Sequence, residues 1–109
     1  ECLPAIDQEF FDEMVDACVE NGEKEYAWRL ALNYDRRFDM DKIETYFIDI
    51  KDSYYLAELI SIQDSPNYSR ITTKLINSKD KELIEKILSK NYIEFPDELK
   101  TKLEKYIKH

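Results

Sequence analysis

Five carboxylates, Glu9, Asp12, Glu13, Asp16 and Glu20, crowd into a short stretch near the start of the chain. Glu9, Glu13, Asp16 and Glu20 fall at i, i+4, i+7 and i+11, which places them along one side of a helix. Two kinds of chemistry follow from such a stripe. It can contribute ligands to a metal shared with facing helices, or it can draw in a cationic partner. Carboxylate di-metal bundles combine Glu with Glu-x-x-His, and the one histidine here, His109, is the last residue. The acids also lie opposite the apolar side of their helix and so point to water. No metal and no cofactor are expected on these grounds.

Other reaction chemistry finds equally little to build on. The chain has one glycine, Gly22, which removes Gly-rich phosphate loops. Ser and Thr have no histidine to activate them. Nothing in the sequence places two separated acids in one cleft, as glycoside hydrolysis requires. A non-enzymatic role is the expectation.

The electrostatic reading is more productive. The formal net charge is -8, and it is unevenly distributed. Residues 1–25 hold nine acids against one base, Lys24, whereas 26–109 hold fifteen of each. Direct nucleic-acid binding is disfavoured, because it needs Lys and Arg to displace counterions. A block of negative charge instead steers a basic protein surface. Glu9, Asp12, Glu13, Asp16 and Glu20 are therefore candidate partner-binding residues.

The elements that must carry these residues repeat. Written as rows 23–50, 51–78 and 79–106, the chain aligns with itself without a gap at a period of 28 residues. Six columns are apolar in every row: Ala27/Tyr55/Leu83, Trp28/Leu56/Ile84, Ala31/Leu59/Ile87, Leu32/Ile60/Leu88, Ile43/Ile71/Leu99 and Phe47/Leu75/Leu103. At this apolar content chance supplies about two. The first four columns form one helical stripe, and the last two, four residues apart, form another. Turn-like stretches separate them: Asn33 to Asp41, Gln63 to Asn67, and Asn91 to Pro96. Asp52 and Asp80 stand where N-caps belong. No stretch alternates with period two, so an all-α fold is predicted. Each row reads as helix, loop, helix. Residues 1–22 read as an N-terminal capping helix closed by Asn21-Gly22, with Cys18 on its apolar side as a buried thiol. The whole of 1–109 is then a single domain.

Stacked helical pairs of this length resemble an α-solenoid, in the manner of HEAT-like repeats and of the helical hairpins of clathrin and vacuolar-sorting proteins. The stretch Tyr26-Ala27-Trp28-Arg29-Leu30-Ala31-Leu32-Asn33-Tyr34 carries most of that resemblance. It implies a short α-solenoid, a right-handed superhelical stack of about three hairpins, that scaffolds protein contacts without a catalytic residue. In that family the second helix of each pair lines the concave face. Thr45, Tyr46, Ile48, Asp49, Thr73 and Ile76 are then the groove candidates.

The function expected is a non-catalytic protein–protein interaction module, a scaffold or adaptor. An opening Glu1 in place of Met points to a piece of a longer protein. The alternative is a small acidic inhibitor of the immunity or antitoxin type, directed at a basic nuclease or toxin. Self-association through an uncapped apolar end is a third reading. Cys2 and Cys18 leave open whether they pair, and two cysteines are too few for a disulfide framework. No basic-then-apolar stretch opens the chain, and no apolar run is long enough for a membrane span, so a cytoplasmic setting is expected over a secreted one.

Overall fold

A computed structural model describes residues 6–108. Cys2, and with it the question of a Cys2–Cys18 bond, lies outside the described residues, as do Glu1 and His109. Among the described residues the structure is all-helical, as the periodicities predict. The helices are α1 (Gln8–Glu20), α2 (Lys24–Tyr34), α3 (Asp41–Asp49), α4 (Ser53–Ile62), α5 (Tyr68–Ser78), α6 (Lys81–Leu88) and α7 (Asp97–Ile107).

Local chemistry sets their ends. Asp7, Asp52, Asn67 and Asp80 are N-caps whose side chains accept from the backbone N–H three residues on, which satisfies a donor that the first turn leaves free. Three helices end through a residue in the left-handed region. Gly22 follows α1 at φ +66, and its N–H donates to Val19 O while Glu23 N–H donates to Cys18 O. Lys51 repeats that pattern after α3, donating to Ile48 O while Asp52 N–H donates to Phe47 O. Lys79, at φ 59, closes α5 by donating to Ile76 O. The first two are Schellman-type ends, and at all three positions glycine is the usual occupant because it has no Cβ to strain; after α5 the Asp80 N–H donates to Ser78 Oγ instead. Asp52 and Asp80 each follow such a lysine directly and cap the next helix.

The helices form two layers. α1, α3, α5 and α7 are neighbours in one, α2, α4 and α6 in the other, and each layer packs on its opposite. The result measures 54 × 27 × 20 Å, with a radius of gyration of 14.5 Å. A roughly spherical chain of this length would give about 13 Å, so the stack is drawn out along one axis. Its core runs the whole length between the layers, from Phe11 and Val15 through Phe47, Leu56 and Ile71 to Leu103. Rings tie successive segments together. Phe11 stacks on Phe38 at 5.0 Å, and Tyr55 meets both Phe47 at 5.3 Å and Trp28 at 5.7 Å.

Several core assignments need correction. Leu32, expected inside, is 49% exposed. The cause is a slip of one residue. α2 starts at Lys24 under Glu23 as N-cap, whereas α4 starts at Ser53 under Asp52, one residue later than an unbroken 28-residue register allows. Counted from the caps, Leu32 matches exposed Ser61 rather than buried Ile60. Cys18, expected buried, is half-buried.

The two lysines in left-handed backbone store strain of about 1 kcal/mol each. Lys51→Gly and Lys79→Gly should therefore each stabilise the fold by about 0.5–1 kcal/mol in urea denaturation, after allowance for the freer unfolded chain. Gly22→Ala should cost about 1 kcal/mol through backbone strain alone, because a Cβ there meets nothing within 4 Å.

Candidate functional site

The residues expected to bind a partner divide into three groups in space. On α1, Glu9, Glu13 and Glu20 are exposed, and among the described residues none makes an ion pair. Asp16 on the same helix is engaged, receiving Lys42 Nζ at 2.9 and 3.0 Å. Asp12 is half-buried and accepts from Gln8 Nε2 at 2.9 Å.

The second group surrounds α3. Asp16, Thr45, Tyr46 and Asp49 share a shallow groove of about 230 Å³ between α1 and α3. Thr45, Ile48 and Asp49 line another of about 200 Å³ between α3 and α5. The expectation that Tyr46 and Ile48 stand open on this face needs correction: they are only 7% and 4% exposed. α3 is flanked by α1 and α5 in its own layer and backed by α2 and α4, so most of its circumference is covered. Thr45 and Asp49 remain exposed. The third group is Thr73, exposed, and Ile76, half-buried, on α5. These two border neither groove.

The densest polar chemistry was not anticipated. Glu44 on α3 is fully buried. Its Oε1 receives Arg70 through Nη2 at 2.9 Å and Nε at 3.1 Å, with Lys74 Nζ at 3.6 Å. Gln63 Nε2 reaches Oε2 at 3.4 Å. Arg70 also holds Asp39 at 3.0 Å, and Lys74 holds the Asp41 carboxylate and its carbonyl. Three acids and two bases thus bind α3, and the loop before it, to α5. Burial pushes the Glu44 carboxyl above the usual glutamate range, against the opposing pull of Arg70 and Lys74. The hydrogen bond from Lys74 holds Asp41 below its usual range. Beside this cluster the α2–α3 and α4–α5 loops enclose a polar hollow of about 430 Å³, with Arg36 and Asp64 3.6 Å apart on its rim.

A sign of some of these pairs stood in the sequence. Lys24 and Asp52, 2.8 Å apart, share a column of the alignment, as do Arg36 and Asp64. Both pairs join residues 28 apart in the chain. Glu44 and Thr72 also share a column, and both are buried.

A wider groove of about 570 Å³ lies between α1 and α2, lined by Met14, Ala17, Cys18, Tyr26 and Leu30 among others. Among the described residues no group of three or more His, Cys, Asp or Glu is placed to hold a metal ion. No helix among the described residues is long and apolar enough to cross a membrane. Comparison with protein-family models, with curated proteins and with solved structures finds no match.

Removing one partner of a buried ion pair leaves the other charge stranded. Arg70→Met should cost about 3 kcal/mol in urea denaturation, and adding Glu44→Leu should recover more than half of it. Glu44 titrates above its unfolded value, so its charge opposes folding near neutral pH, and that opposition fades as pH falls through the raised value. The stability of the natural chain relative to Glu44→Gln should therefore rise as pH falls from neutral toward the ordinary glutamate range. Asp41 acts in the opposite sense: its contribution is present above the ordinary aspartate range and is lost below it.

Proposed function

We propose that this chain is a non-catalytic protein-interaction module, built as a short α-solenoid that presents side chains to another protein. In this reading α1 is a leading, capping helix. The pairs α2–α3, α4–α5 and α6–α7 are hairpins stacked over 23–50, 51–78 and 79–106. The layer order supports it, because each hairpin's helices neighbour their counterparts in the next. The ion pairs Lys24–Asp52 and Arg36–Asp64, between residues of one alignment column, support it as well.

The observation that carries the binding role is the outer face of α1. Glu9, Glu13 and Glu20 stand exposed without an ion pair among the described residues, beside exposed Phe10 and Val19. Like charges at i, i+4 cost a helix a few tenths of a kcal/mol. A cationic partner relieves that repulsion and gains steering over distance. The concentration of nine acids against one base in the first 25 residues also favours a second reading, an acidic inhibitor of a basic nuclease or toxin that uses the same face.

The test is capture by the immobilised chain from a cell extract, repeated with Glu9, Glu13 and Glu20 all changed to Lys. These sites are exposed, so the triple variant should keep its helical circular dichroism and melting point. A protein retained at low salt should be released between about 50 and about 500 mM salt, where screening shortens the reach of charge, and the variant should not retain it. Retention indifferent to the variant and to salt would remove the acidic face from the reading. No retained protein would count against the module itself. Inhibition of a nuclease by the added chain would favour the second reading.

A further inference from the structure

The α2–α4–α6 layer is finished for water at one end and not at the other. Counted from the N-caps Glu23, Asp52 and Asp80, Tyr26 and Leu30 of α2 correspond to Tyr55 and Leu59 of α4, and to Leu83 and Ile87 of α6. Where a helix precedes in the layer, these positions are covered. Leu59, Leu83 and Ile87 are buried, and Tyr55 is half-buried with the Trp28 ring of α2 against it. No helix precedes α2 in the layer among the described residues, and there Tyr26 is exposed and Leu30 half-buried. They form the α1–α2 groove with Met14, Ala17 and Cys18. At the far end the position of Trp28 and Ala57 is taken by Glu85, exposed and charged. One terminus of the layer is polar. The other repeats the apolar pattern that neighbouring helices bury elsewhere in the same molecule.

We propose that the α1–α2 groove receives an amphipathic α-helix with basic flanks, donated by another protein and seated as α2 seats on α4. The proposal deepens the module reading and rests on it. Internal packing gives the shape of the occupant: about three turns, like α2, with an apolar stripe at i, i+3, i+4 and i+7. Charge gives its flanks. Glu23 lines the groove. Glu13 and Glu20, three or four residues from Ala17 on α1, edge it, and both are exposed without an ion pair among the described residues. Arg29 is the one base on the lining, with its guanidinium 5.7 Å from the centre of the Tyr26 ring. A second copy packed groove to groove would set these glutamates against their counterparts, a juxtaposition that costs binding energy.

Two synthetic helical peptides test this, with the same Leu/Ala stripe and either lysine or glutamate flanks. They are titrated against the chain carrying Cys2→Ser, which leaves Cys18, in the groove, as the single thiol. The lysine peptide should bind at least about tenfold tighter than the glutamate peptide at low salt and should slow alkylation of Cys18 several-fold. Leu30→Asp should weaken it at least about tenfold. Tyr26→Ala, at a more exposed position, repeats the test without touching the core and should weaken it several-fold. Equal binding of both peptides, no binding of either, or unaltered Cys18 alkylation would overturn the proposal. So would a dimer in sedimentation that Leu30→Asp dissolves, because a second copy would then be the occupant. Binding lost on Asp49→Lys but kept in Leu30→Asp would move the site to the α3 face and leave the module reading standing. That reading falls only if the capture experiment finds no partner.

Discussion

Every helix here is short, from eight residues in α6 to thirteen in α1. Helices of this length are marginal alone, because nucleation costs more than a few hydrogen bonds return. Each must find cover for its apolar side, and the two-layer order gives an interior helix cover from three or four directions. α3 touches α1, α5, α2 and α4, and all of it except the outward strip of Asp41, Lys42, Thr45 and Asp49 is buried. Interior helices are thereby sacrificed to the core, and surface chemistry is left to the ends and edges of the stack. That is why α1, packed chiefly on α2 and α3 among the described residues, keeps both its free glutamates and its apolar flank.

Electrostatics reinforce the same order at two depths. At the rims, pairs such as Lys24–Asp52 join neighbouring segments in water, where each contributes little. Inside, Glu44 is held by Arg70 and Lys74 with much of the field unscreened. Such a pair adds little net stability over an apolar equivalent, yet a wrong pairing strands a charge. An arrangement of α5 that turned Arg70 away from Glu44 would therefore be penalised.

The helical class, the turn regions and the caps Asp52 and Asp80 were legible in the sequence because they rest on local chemistry: apolar spacing, proline and side-chain acceptors. The exposure of Leu32 was not. A one-residue slip between α2 and α4 leaves the apolar columns in apparent register, since Leu32, Ile60 and Leu88 still align, while it rotates Leu32 outward. Tyr46 and Ile48 were misplaced for a related reason. A stripe shows one face of a helix, and a helix enclosed on several sides buries residues beyond its stripe. The acidic side of α1 was legible as a charge pattern, but the capture of Asp16 by Lys42 depends on how two helices meet. The Glu44–Arg70–Lys74 cluster joins residues far apart in the chain, and only the column shared by Glu44 and Thr72 hinted at it.

The turns at Gly22, Lys51 and Lys79 carry the chain from the α1/α3/α5 layer to the other in two or three residues, and each N–H of these turns donates a hydrogen bond. The return connections, 35–40, 63–67 and 89–96, are longer and differ in length. The two long margins of the slab are therefore unequal. Along one, an inserted residue has nowhere to go without unravelling two helix termini. Along the other, extra sequence can bulge outward at small entropic cost. Lineage-specific elaboration, protease nicking and grafted peptides all have a single natural address, the margin of irregular connections.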